Sequence, residues 1–347
     1  MAHPTSRTAR GHRVLVTGSI ATDHLMAYPG RFAEQLLTGQ LESVSLSFLA
    51  DTLEIRRGGV GANIALGLAR LGLAPVLAGS AGADFADYGA WLAGQGVDIT
   101  PVRVSDTLHT ARFVCTTDAD HNQIATFYAG AMAEARHISL TRTVAGAGRP
   151  ELVLIAPDDP EAMLRHTTEA RAAGLPFAAD PSQQLARLDR AATRRLVDGA
   201  CHLFTNAYEA GLLRERTGWT DEQVLAHVGT WVVTRGADGV DLLRAGEAPL
   251  RVPAVPTDVP AEPTGVGDAF RAGFLAGLSW SLPAAAAARL GCAVATVVLE
   301  TVGTQDYQLS ADELLLGVKR AHGEPAAAEL AGPLGAGIER ATTGGAG

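Results

Sequence analysis

Short β-branched or aliphatic runs alternate with helical stretches along most of this chain, and that alternation narrows the fold more than any other feature. Val14–Thr17 ends in Gly18 and reads as the first strand of a buried sheet. Residues 62–71 place Ile64, Leu66, Leu68 and Leu71 in a helix closed by Gly72, and a strand over 75–78 and a helix over 85–93 follow. The rhythm resumes with strands at 152–156, Phe177–Ala179, 202–205 and 231–234, interleaved with helices at 159–173, capped by Gly174, and Arg190–Val197. Strand and helix at this spacing predict an α/β fold: a parallel sheet covered on both faces by helices.

Two regions depart from that rhythm. Residues 43–48 alternate polar and apolar, with Val44, Leu46 and Phe48 on one side, and residues 110–127 do the same around a turn at 118–122. Half-buried strands of this kind suit a small sheet over one edge. They are read as a lid inserted into the main domain, with strands from about 24–57 and 108–130, able to pair with its copy in a homodimer. The main domain spans residues 13–325, behind a loose polar arm at 1–12. The Gly-, Ala- and Thr-rich stretch 330–347 is expected to be disordered.

Composition excludes several functions. A 47% apolar content over 347 residues supports a large core and argues against global disorder. The net charge of −9, with no basic stripe on any helix, makes nucleic acid a poor partner. Residues 282–299 are apolar but broken by Arg289, so they read as a buried helix and not a membrane span. The first residues lack the apolar run of a secretory signal. Three scattered cysteines, Cys115, Cys201 and Cys292, give neither a disulfide framework nor metal-ligand spacing. A reducing, cytoplasmic setting is expected.

Five short motifs can carry chemistry. In Thr264-Gly265-Val266-Gly267-Asp268 the glycines lead into an Ala-rich helix. Free N–H groups at a helix start, backed by the macrodipole, bind anions, and a carboxylate there can take a proton from an attacking hydroxyl. An N-cap aspartate on an ordinary helix is the alternative. Gly58-Gly59-Val60-Gly61-Ala62-Asn63 is a second glycine turn opening a helix, where the amide of Asn63 can bond two sugar hydroxyls. Asp23, beyond the first strand, lies where open α/β sheets bind ligands; it also reads as a turn residue. Asn206-Ala207-Tyr208-Glu209 puts an amide and a carboxylate on one helix face, suited to Mg²⁺ near phosphates or to a capping pair. Thr234-Arg235-Gly236-Ala237-Asp238-Gly239 is a glycine loop fit for a nucleotide or for a plain hairpin turn. The chain has no Gly-x-x-x-x-Gly-Lys-Ser/Thr, no complete dinucleotide fingerprint, no Gly-x-Ser-x-Gly elbow and no zinc spacing.

In this order the motifs resemble the ribokinase-like (PfkB-type) carbohydrate kinase family, over about residues 14–318. Within it the chain is most similar to the mycobacterial-type adenosine kinases, through Thr17-Gly18-Ser19-Ile20-Ala21-Thr22-Asp23, residues 81–88, His109-Thr110-Ala111-Arg112-Phe113 and residues 179–188. The resemblance implies a three-layer domain with a small β lid and transfer of the ATP γ-phosphate to the 5′-hydroxyl of adenosine. It makes Asp268 the catalytic base and Gly265, Val266 and Gly267 the anion hole. It assigns Ser19, Asp23, Gly59, Asn63, Phe113, Phe127, Gln183, Gln184 and Arg187 to the nucleoside. Asn206, Thr234, Arg235, Gly236, Gly239 and Gly267 would face ATP, with Glu209 near Mg²⁺. Family members are often stimulated by K⁺, but Glu262-Pro263 stands where Asp-Thr is usual, which leaves K⁺ dependence open. Ala237-Asp238 replaces a common basic residue, for which Arg235 can compensate. A ribokinase- or fructokinase-type sugar kinase and an inert ligand-binding member of the fold are the competing readings.

Overall fold

Alternate residues of Val14–Thr17 enter two different cores, which is why the strand is apolar throughout. Val14 and Val16 belong to one buried cluster with Leu154, Ala178, Phe204 and Val232, while Leu15 belongs to another with Val153, Phe177, Leu203 and Trp231. A computed structural model, which describes residues 13–35 and 46–344, shows the reason. Val14–Thr17 lies inside an eight-stranded sheet with helices on both faces. In spatial order the strands are Leu250–Val252, Val240–Leu243, Thr230–Thr234, His202–Asn206, Phe177–Ala179, Leu152–Ile155, Val14–Thr17 and Val76–Ala78. The last six are mutually parallel, and the first two add an antiparallel edge. One face is covered by helices that include Val60–Arg70, Val266–Ser279 and Ala284–Leu299, the other by Pro160–Ala172, Arg190–Val197 and Ala207–Thr217. Trp231 is fully buried and donates its indole N–H to Thr205 Oγ1 at 2.9 Å, so the largest side chain of the core leaves no orphan donor.

A separate four-stranded sheet occupies the region read as a lid, in the order Thr52–Gly58, Ala21–Ala27, Ala111–Thr117 and Gln123–Tyr128. Pairing sets Asp23 opposite Arg56 and Phe113, with Phe113 opposite Phe127, so these four share one face. Met26, Leu53, Thr116 and Ile124 share the other. The strand expected over 43–48 is corrected: residues 43–45 fall outside the described residues, and 46–50 form no strand. Phe48 packs instead on Tyr28 and Phe32, at ring distances of 5.1 and 4.8 Å, so that alternation serves an aromatic cluster in a loop.

The disordered tail is corrected too. Glu324–Gly344 is a helix, with Pro333 inside it. Its apolar stripe, Ala326, Ala327, Leu330 and Leu334, is buried in the core, and Gly337 lies against Leu71 and Trp280. Burial along one face outweighs the low helix propensity of its glycines. The arm expected at 1–12 lies outside the described residues. Among the described residues no helix is long and apolar enough to cross a membrane, and no group of three His, Cys, Asp or Glu side chains is placed to hold a metal ion.

Candidate active site

Two helices begin side by side, and each start is enforced by a glycine. Gly59, with φ 96°, precedes Val60–Arg70; a Cβ there would lie 2.6 Å from both Ala21 N and Ser19 O. Ser19 secures this turn: its Oγ accepts the Val60 N–H at 3.0 Å and its backbone oxygen accepts the Gly61 N–H at 3.0 Å. Gly265, with φ 78°, precedes Val266–Ser279 and puts Asp268 in the first turn. First-turn N–H groups have no intrahelical partner, and the helix dipole adds positive potential there. Val266 N–H makes only a long 3.4 Å contact with Pro263 O. Asn63 Nδ2 donates to Asp268 Oδ2 at 2.8 Å and joins the two starts.

These starts open into a cavity of about 550 Å³. Ser19, Asp23, Gly59 and Asn63 line it with Gly265 and Asp268, while Phe127 of the lid and Gln183, Gln184 and Arg187 line it from other sides. Phe113 shares the lid face of Asp23 and Phe127 but does not line the cavity. Val266 and Gly267 do not line it either; they sit behind Gly265 in the first turn.

Burial outweighs the nearby cations in the electrostatics. It pushes the Asp268 carboxyl up to about 7, against the Asn63 hydrogen bond and the charge of Arg271, with Asp180 and Glu209 adding to the rise. It raises Asp23 to about 6, helped by Glu262 and opposed by Arg56. Behind the first turn of Val266–Ser279, Arg271 donates Nη2 to Asp180 Oδ1 at 2.6 Å with its Nε 2.5 Å from Asp180 Oδ2, and its Nη1 donates to Gly267 O at 2.9 Å. This guanidinium ties the first turn to the 180–187 wall of the cavity. That wall carries strain: Ser182 has φ 42°, a left-handed conformation uncommon outside glycine. Gln184 donates its amide N–H to Asp158 O at 2.9 Å, which leaves its Oε1 buried without a protein partner.

Apart from Gly267, which sits in the first turn of Val266–Ser279, the residues expected around ATP lie outside the lining of this cavity. Asn206 and Thr234 are register partners at the ends of adjacent strands. Asn206 and Glu209 form a capping box: Glu209 N–H donates to Asn206 Oδ1 at 2.8 Å and Asn206 N–H to Glu209 Oε2 at 2.7 Å. Gly236 and Gly239 turn the chain from Thr230–Thr234 into the antiparallel Val240–Leu243, with φ 58° and 93°. The motif is therefore also a hairpin, and Arg235 is held by buried Asp241. Glu262 accepts Arg56 Nη1 at 2.9 Å and Gly303 N–H at 3.0 Å, so the carboxylate at the suspected cation position already has a guanidinium from the lid.

The sequence reading missed several participants. Thr264, Thr304, Met132 and Pro157 line the cavity, and Gln305, Tyr88, Arg271 and Asp180 support it. Gln305 Nε2 donates to Asn63 Oδ1 at 2.7 Å across 242 positions of sequence, and no local pattern signals such a contact.

Known proteins share this fold. A family model described as pfkB family carbohydrate kinase matches residues 16–311. A nucleoside kinase of Methanothermobacter thermautotrophicus is 33% identical over 253 residues, which cover 72% of this chain and 80% of that protein. The structure of Burkholderia thailandensis nucleoside kinase in complex with inosine is 33% identical and superposes with a TM-score of 0.77, covering 90% of this chain and 98% of that one. The same enzyme in complex with ADP-inosine gives a TM-score of 0.74 at 34% identity, covering 90% of this chain and 96% of that one.

Proposed function

The chain belongs to the pfkB family of carbohydrate kinases, and from that membership we propose that it is a nucleoside kinase transferring the γ-phosphoryl group of ATP to the 5′-hydroxyl of adenosine. The carrying observation is that Asp268 lines one cavity with Asp23 and Asn63, beside a glycine-led helix start. In the proposed reaction Asp268 takes the hydroxyl proton as the new O–P bond forms. The bond from the γ-phosphorus to the bridging oxygen breaks, leaving ADP and AMP. The first-turn N–H groups at Gly265–Gly267 face the charge on the transferred group.

A base-bearing substrate is favoured over a bare sugar by Phe127, whose ring sits on the lid face above Asp23, and by the amides of Gln183 and Gln184 in the same wall. Both similar proteins named above are nucleoside kinases. ATP is assigned to the Asn206 and Thr234–Gly239 side. Mg²⁺, when bound with ATP, neutralises phosphate charge. Glu209 fits it through water, since Mg²⁺ retains most of its hydration and needs only one or two carboxylates. K⁺ has less support, because Glu262 is already engaged by Arg56. The outward lid face, with Leu53, Ile55 and Ile124 each more than 45% exposed, supports a homodimer through the lid.

Turnover decides among the readings. With ATP and Mg²⁺, ADP release is expected on adenosine and not on ribose or fructose. Turnover on a sugar alone would make it a sugar kinase, and tight adenosine binding with no ADP would make it an inert binder. Asp268→Asn is expected to lower kcat by about 10²–10⁴ with nucleoside binding retained, and a near-normal kcat would remove Asp268 as the base.

A further inference from the structure

We infer that Gln305, backed by Tyr88, is a positioning residue that fixes which end of the Asn63 amide faces Asp268, and so keeps the base charged and aimed. The inference rests on the kinase reading above.

It follows from a chain of forced hydrogen-bond directions. Gly58 O, at the end of a lid strand, can only accept, and it receives the Tyr88 hydroxyl proton at 2.9 Å. Tyr88 Oη has then used its one hydrogen, so toward Gln305 it can only accept. Gln305 must present its NH₂ end, and Nε2 lies 2.6 Å from Tyr88 Oη and 2.7 Å from Asn63 Oδ1. With its oxygen committed there, Asn63 turns Nδ2 to Asp268 at 2.8 Å. Thr304 Oγ1 lies 3.2 Å from Asn63 Oδ1, but its single proton also has Arg57 O at 3.1 Å, so Gln305 is the dedicated donor. All three side chains are buried, Tyr88 at 6%, Gln305 at 2% and Asn63 at 7% exposure, and Tyr88 and Gln305 lie outside the lining of the cavity that Asn63 borders.

Without that donor only the shared Thr304 hydroxyl and Asp268 itself distinguish the two ends of the Asn63 amide. A flipped amide sets an oxygen against the carboxylate and favours its protonated form. The other groups acting on Asp268 are Arg271, Asp180 and Glu209, with the buried phenol of Tyr307, which is uncharged at neutral pH and paired with Arg70. None of these depends on Gln305. The effect of removing Gln305 is therefore specific to the amide.

Gln305→Met preserves length and removes the donor, and Tyr88→Phe preserves the ring and removes only the hydroxyl. The direct test is a carboxyl-carbon NMR titration of aspartate-labelled protein, with the Asp268 resonance identified by its loss in Asp268→Asn. In Gln305→Met the Asp268 midpoint is expected to rise by about half to one pH unit, and in Tyr88→Phe by less. The acid limb of kcat/KM should move by the same amount, with rates converging on wild type at alkaline pH. An unchanged midpoint in both variants would overturn the inference, as would a rate loss uniform across pH. The titration needs no turnover, so failure of the kinase reading would show separately, as absence of ADP release by the wild-type chain.

Discussion

Replacing Arg271 by Met tests the buried frame behind the first turn of Val266–Ser279. The guanidinium is 7% exposed and its partner carboxylate 1%, and the pair shares one hydrogen bond at 2.6 Å and a second N···O contact at 2.5 Å. Removing the cation leaves Asp180 buried with no counter-charge and deletes the bond to Gly267 O. Breaking a buried pair from one side costs about 3–5 kcal/mol, a large share of the roughly 5–15 kcal/mol that holds a domain together. Burial already pushes the Asp180 carboxyl up to about 6 even with Arg271 opposing, so without Arg271 it rises further. A carboxyl raised in the folded state takes up a proton on folding, so the variant's deficit should shrink as pH falls toward 5 and widen toward 8. Urea unfolding followed by tryptophan fluorescence measures this in Arg271→Met, Asp180→Leu and the double variant. The double variant removes both charges and is expected to recover most of the lost stability, giving a coupling energy of at least about 2 kcal/mol, while kcat stays low because the first turn is no longer tied. Additive effects within about 0.5 kcal/mol would refute the claim that these two charges hold each other.

Other outcomes follow from the same geometry. Phe127→Ala should raise the KM for the nucleoside about tenfold with the KM for ATP held, and equal losses for both would detach the lid from the base. The pH dependences of activity and stability should run in opposite directions. As the proposed base, Asp268 must lose its proton to act, so kcat/KM is expected to rise through about pH 7. Asp268 and Asp23, raised to about 7 and about 6, both bind protons on folding, so stability falls as pH rises from about 4 through about 7. In calorimetry from pH 5 to 8, Asp268→Asn should lose less Tm than wild type, and parallel curves would count against the Asp268 shift.

What could be read from the sequence depended on how far apart the cooperating residues lie. The glycine turns at Gly59 and Gly265 announce their helix starts because the reason is local: a left-handed φ or a close backbone approach that a Cβ would block. The parallel sheet was legible because burial on both faces writes continuous apolar runs. The hairpin around residues 118–122 was legible because its turn residues sit between two alternating strands. The polar chain from Gly58 to Asp268 was not, since its members come from four separate segments and each residue alone has an ordinary local role. The start of the strand Ala21–Ala27 was missed, the lid being read from about residue 24, because it is polar at Thr22, Asp23 and His24 and its partners lie far along the chain. The last helix was masked by its glycines, although Leu330, Leu334 and Ile338 already stood four apart.

One residue separates the cover of the cavity from its floor. The lid strand ends at Gly58, the helix bearing Asn63 begins at Val60, and Gly59 between them touches Ala21 and Ser19 too closely to admit any side chain. Sequence can therefore diversify at the far rim of the small sheet, around residues 28–35, 46–51 and 118–122, without disturbing the two helix starts. At the junction itself there is no slack: an inserted residue would shift cover and floor together. A chain built on this joint has one margin free to vary and another that cannot drift.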